Sequence, residues 1–358
     1  MTRWLAGLSI VLAATSPDTG ADELPDKELV EHIRDEIGRG NYVGVIIGLI
    51  DGDQTVVQSF GETAKGSGRA PDEHTLFEIS SISKTFVATI LADLAVRTDL
   101  ELTDPASFYL PSGVQLGAVD GRQITLEDLA VHTAGLPNTP EDYEAPEGVN
   151  PYSGYTTDEL WRSVTAFTPT RKSGEIHSYS PFGYGILTNA LSLQTGHSFG
   201  ELLRIHITEP LGMQDTVLTP SLQQRRWLAT GYDPNGNVAP YMNWGALQGA
   251  GSMFSTLADL MFYVQANMGK LDTPLYEAMK LTHTLRDRDQ LVGLAWQRTE
   301  GFDDRSHYGT ANGYRAFVGF LVDGSRGVVV LANTKYGVVE LGNRLLLGPE
   351  HVALESEN

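Results

Sequence analysis

The stretch FEISSISKTFVATILADLA, residues 77–95, sets three serines and one lysine at the mouth of an apolar helical pattern. Residues three or four apart share a face of a helix, because the turn holds 3.6 residues. Ser81 lies three residues before Lys84 and Ser80 four, so helix geometry alone lets either hydroxyl meet the amine. The same pattern also arises at an ordinary helix start, where a serine caps the first turn and the lysine is a solvated charge. The remainder of the chain decides between a cap and a nucleophile beside a base.

Outward from this helix, NYVGVIIGLIDGDQTVVQSFGE (41–62) reads as two β-rich runs around Asp51-Gly52-Asp53. RAFVGFLVDGSRGVVVLANT (315–334) repeats the arrangement around Asp323-Gly324. Aspartate-glycine between apolar runs is a hairpin signal, and strands near both ends predict one sheet assembled from both termini. Between them apolar residues recur at three and four, which predicts helices over 83–96, 125–132, 157–166, 182–194, 199–211 and 256–268. Residues 139–159, rich in proline, glycine and acids, read as a long surface loop or lid. The implied architecture is an α/β region with a mostly helical insertion and a site in the cleft between them.

Composition narrows the functional classes. A chain of 358 residues buries enough surface to fold without disulfides or metals, and cysteine is absent, which removes thiolate ligands and cysteine nucleophiles. Lys+Arg 25 against Asp+Glu 45 gives a formal charge of -20, which repels nucleic acid and anionic membrane surfaces. The N-terminus carries one arginine, an apolar run from Trp4 to Ala14, and then small and acidic residues. That order fits a secretory signal over residues 1–21 with cleavage after Thr19-Gly20-Ala21, and the apolar run is too short to span a bilayer comfortably. The expected location is the periplasm or outside the cell. Apart from His132 and His307, the histidines are scattered without partners at metal-ligand spacing, so neither metal nor cofactor is expected.

Three further stretches bear on Ser81 and Lys84. GEIHSYSPFGYGILTNALSLQTG (174–196) carries Tyr179 in a loop just before a helix, and SHYGTANGYRAFVGF carries His307-Tyr308-Gly309 leading into a strand. TLEDLAVHTAGLP (125–137), EPLGMQDT (209–216) and GAGSMFSTLADL (249–260) complete the pattern. In this order the motifs resemble the serine hydrolases that share the class C β-lactamase and penicillin-binding-protein fold, a group that includes D-Ala-D-Ala carboxypeptidases and family VIII carboxylesterases. The resemblance covers residues 43–334. It implies an antiparallel sheet flanked by helices, with the α/β part at about 28–96 and 240–345 and the helical part at about 97–239 of a single hydrolase domain spanning 22–358.

Carried onto this sequence, the resemblance makes Ser81 the nucleophile, Lys84 its proton acceptor and Tyr179 the second acid/base group. His307 and Gly309 form the third motif on the strand edge, and the backbone N–H groups of Ser81 and Thr310 stabilise the oxyanion. Gly309 is expected to keep that edge free of a side chain that would crowd the acyl group. His132 resembles a position that shapes the turn under the helical part. The chemistry needs such a set: a serine hydroxyl is a weak nucleophile until its proton is removed, and lysine accepts a proton at neutral pH only when burial lowers its ordinary value near ~10.4.

Two positions depart from the usual Y-x-N and K-T-G: the chain reads Tyr179-Ser180-Pro181 and His307-Tyr308-Gly309. Proline offers no donor to a substrate amide, and histidine presents positive charge to a substrate carboxylate only when protonated. The expected activity is acyl-enzyme hydrolysis of β-lactams or D-amino-acid peptides. A carboxylesterase of the same fold and a penicillin-binding sensor without turnover are the alternatives.

Overall fold

The computed structural model describes residues 24–144, 150, 152–287, 289, 291–352 and 354. The proposed signal segment lies outside the described residues. The central sheet has five strands: β1 (Tyr42–Asp51), β2 (Gln54–Gly61), β3 (Asp304–Thr310), β4 (Arg315–Leu321) and β5 (Arg326–Thr334). Their order is β2-β1-β5-β4-β3, antiparallel throughout. Both expected hairpins are present, with Asp51 opposite Gln54 and with Gly52 and Gly324 in the left-handed backbone region their turns require.

β1 reads as one continuous apolar run because both of its faces are covered. Val45, Ile47 and Leu49 pack under α1 (Lys27–Gly38) and a C-terminal helix, Val339–Leu347. Ile46 and Ile50 belong to the larger core on the opposite face. There the helix Leu257–Asn267 presses so close that a Cβ on Gly48 would lie 2.5 Å from Met261 Sδ. The two terminal helices were not among those the periodicity singled out.

α2 (Ser83–Arg97) is buried at every position from Ser83 to Leu94. It has no polar face, so it runs through the core, where Phe86 stacks on Tyr263 with ring centroids 4.1 Å apart. A lysine on its first turn is therefore carried into the interior. The expected helix over 199–211 is interrupted: Phe199–Leu203 is followed by a π-type segment, Arg204–Thr208, before Glu209–Leu211. Pro210 explains this, since it has no N–H to return to residue 206. The expected lid is in part interior, with Tyr152 and Tyr155 buried and Tyr152 stacked on Trp244.

Candidate active site

Ser80, Ser81 and Ile82 form a 3-10 turn that leads directly into α2. Ser81 is the half-exposed member, while Ser80 is buried. Ser80 holds φ +44°, and its hydroxyl donates to the Thr310 carbonyl at 2.8 Å, which ties the turn to the edge strand β3. That bond separates the two serines: Ser80 is committed to a structural contact, and Ser81 faces Lys84 with Oγ 3.2 Å from Nζ.

Lys84 is 0 % exposed. Its Nζ donates to the Ala250 carbonyl at 2.6 Å and lies 4.8 Å from the Tyr179 ring centroid and 5.7 Å from that of Tyr184. Burial, with no carboxylate partner among the described residues, lowers the ammonium well below its ordinary range, which suits the amine to accept a proton from the hydroxyl beside it. Tyr179 is hydrogen-bonded to Ser81, and its hydroxyl shifts the other way: burial raises it and the Ser81 contact only partly offsets this. One neighbour of Ser81 can thus take a proton and the other can give one, a division set by environment.

Facing this turn, β3 supplies the third motif from within the strand itself. Ser306 exchanges both main-chain hydrogen bonds with Gln297 on the outer side of β3, each at 2.9 Å. Main-chain groups alternate along a strand, so Tyr308 and Thr310 turn theirs to the same outer edge. The Thr310 N–H thereby turns to the edge where the Thr310 carbonyl meets Ser80, and the Ser81 N–H, as a first-turn donor, has no intrahelical partner. Gly309 has a packing reason that the sequence did not show. A Cβ there would lie 2.0 Å from the Ile79 carbonyl oxygen, so the bare position lets β3 pack against the turn that carries Ser81.

His307 does not present a positive charge. It is 2 % exposed, and burial lowers its pKa to about 3. Its Nδ1 is 2.9 Å from the Tyr308 carbonyl; a carbonyl only accepts, so Nδ1 carries the hydrogen and Nε2 keeps a lone pair with no partner among the described residues. Pro181 is buried as the first residue of the helix Pro181–Thr195, capped by the Ser180 hydroxyl, which accepts from Gly183 N–H at 3.0 Å. His132 lies against Tyr179, with ring centroids 4.5 Å apart.

Two participants escaped the motifs. The Ala250 carbonyl is a main-chain group and carries no side-chain signal. Glu78, two residues before Ser80, is 1 % exposed, and both its oxygens approach Met242 N–H, at 3.1 and 3.3 Å. Burial raises its carboxyl to about 8, against the lowering effect of that hydrogen bond. On either side of Ala250, Gln248 and Ser252 line a cavity of about 240 Å³ together with Tyr241, Met242 and Asn243.

Comparison with known proteins identifies the family. The family model for β-lactamase matches residues 28–348. The D-alanyl-D-alanine-carboxypeptidase/endopeptidase AmpH of Escherichia coli is 29% identical over 310 residues, covering 81% of this chain and 78% of that protein. A β-lactamase of Pseudomonas fluorescens is 28% identical over 339 residues, 83% of this chain and 90% of its own. Among solved structures, a β-lactamase/D-alanine carboxypeptidase from Yersinia pestis complexed with citrate superposes with a TM-score of 0.74 at 26% identity, covering 87% and 93% of the two chains. The chain therefore belongs to the β-lactamase family and is a serine hydrolase with the fold of the class C β-lactamases and D-alanine carboxypeptidases.

Proposed function

We propose that the protein forms an acyl-enzyme at Ser81 and hydrolyses β-lactams or D-alanyl peptides. The Ser81 oxygen attacks the carbonyl carbon while its proton passes to the neutral Lys84 amine. The N–H groups of Ser81 and Thr310 receive the developing oxyanion, a contribution worth ~10² to 10³ in rate per donor. Tyr179 then gives its proton to the leaving nitrogen and is reprotonated from Lys84, and water releases the acid from the ester. The observation that carries the reading is the fully buried Lys84 amine 3.2 Å from the Ser81 hydroxyl, which the Tyr179 phenol also meets. The apolar N-terminal run would export the enzyme toward such substrates.

The test is to react the protein with a penicillin, map the adduct, and follow turnover of a cephalosporin, a D-Ala-D-Ala peptide and a nitrophenyl ester. An adduct on Ser81 that is lost in Ser81→Ala and kept in Ser80→Ala supports the assignment; modification of Ser80 refutes it. A carboxylesterase is the second reading, favoured by the buried Pro181 and the uncharged His307, which leave the motif positions without an amide or a cation for a peptide-like substrate. Pro181→Asn separates the two, since a regained amide hydrogen bond should shift the kcat/KM ratio toward peptides or penicillins by about threefold to tenfold.

A further inference from the structure

Residues 132–138 wrap the segment that carries Tyr179. The His132 carbonyl accepts the Ser178 N–H at 2.7 Å, and His132 Nδ1 accepts the Ser180 N–H at 3.0 Å. The Pro137 carbonyl accepts the Ser180 hydroxyl at 2.6 Å, and the Asn138 amide reaches the Tyr179 carbonyl at 3.4 Å. A single residue, His132, thus holds the main chain on both sides of Tyr179 and lays its ring against the phenol.

This arrangement has costs that simple packing would avoid. To aim both its carbonyl and its ring at the same segment, His132 adopts φ +60°, a left-handed backbone that a non-glycine residue keeps only where its surroundings impose it. Because Nδ1 accepts, a neutral ring must carry its hydrogen on Nε2, and that buried N–H has no partner among the described residues. A leucine or phenylalanine would bury no polar ring nitrogen but would leave the Ser180 N–H without its acceptor. Burial lowers the imidazole well below its ordinary range, which favours the neutral ring whose Nδ1 can accept.

Resting on the reading of Tyr179 as an acid/base group, we propose that His132 is a positioning residue, whose carbonyl and Nδ1 fix the main chain around Tyr179 so that its hydroxyl stays on Ser81. The requirement is strict, since a displacement of about 1 Å costs on the order of 10²-fold in rate.

The test measures the acylation rate constant and Kd for a penicillin in the full chain. His132→Asn places Oδ1 where Nδ1 stood and tolerates the left-handed backbone, so acylation should stay within about threefold of wild type. His132→Gln sets its polar atoms one bond further out and should acylate about 10- to 100-fold more slowly at unchanged Kd. Tyr179→Phe is itself slow, and adding His132→Gln to it should produce no further loss, because a positioning residue acts only through the phenol. A His132→Gln loss that persists in full on Tyr179→Phe overturns the positioning role and leaves the catalytic reading intact. Wild-type acylation by Tyr179→Phe overturns both. Should His132→Gln not fold, a folded His132→Asn slower by about tenfold or more refutes the proposal alone.

Discussion

Replacing Glu78 by glutamine should make the protein more resistant to alkali. The carboxyl is 1 % exposed, meets one main-chain N–H, that of Met242, and is raised by burial to about 8 from 4.5. Between those values the native state holds a proton that the unfolded chain has released, so the unfolding free energy falls as pH rises. The slope is about 1.36 kcal/mol per unit, and the difference between the two values amounts to roughly 4 to 5 kcal/mol once pH exceeds both. Glutamine keeps an oxygen for Met242 N–H and does not titrate. Urea unfolding of both proteins at pH 5, 7 and 9 should give near-equal stability at pH 5 and a gap in favour of Glu78→Gln that widens to several kcal/mol at pH 9. Other titrating groups are common to both proteins and cancel in the difference. Parallel profiles would show that Glu78 ionises normally inside the fold, and the account of its burial would be wrong.

Lys84→Met keeps the length of the side chain in its buried channel and removes the amine; it should fold and lose acylation by at least ~10², measured by penicillin labelling, and near-normal labelling would transfer the role of base to Tyr179. His307 is neutral down to about 3, so the pH profile of kcat/KM in His307→Gln should keep every limb seen near 6 to 7 in wild type; a limb that disappears would show that the imidazole titrates in the working range. The same depression makes its contribution to stability complete above the unfolded value near 6.5 and lost as pH falls toward 3, so His307→Gln should lose less stability on acidification. Gly309→Ala forces its methyl against the Ile79 carbonyl and should cost about 1 to 3 kcal/mol in thermal unfolding together with acylation; an unperturbed variant would mean that β3 does not seat on the nucleophile turn.

Spacing alone put either Ser80 or Ser81 beside Lys84, and it took the resemblance, carried by chemically distinctive side chains in a fixed order, to single out Ser81, Lys84 and Tyr179. The two Asp-Gly hairpins placed the sheet. What escaped depends on burial, which spacing does not report. His307 was read as a possible cation, and only its enclosure makes it neutral. Glu78 looked like one acid among 45, and only its seat beneath Met242 makes it a carboxylic acid at neutral pH. The helix Lys27–Gly38 carries apolar residues at 29, 30, 33 and 37 behind an Asp26 cap, a legible pattern overlooked in an acidic segment. The bent course of 199–211 follows from Pro210, whose effect on the helix was also readable.

The sheet order imposes a schedule on synthesis. β1 gains β2 at once, but its other edge waits for β5, where Asp51 meets Arg326 and Ile46 meets Leu331. Ser80 likewise waits for Thr310. Every nascent chain shorter than residue 304 lacks the strand that anchors Ser80, while its longest apolar strand has a bare edge open to any passing segment. The sheet closes only after the residues of β5 have been made, which places the hazard of aggregation in the interval before them.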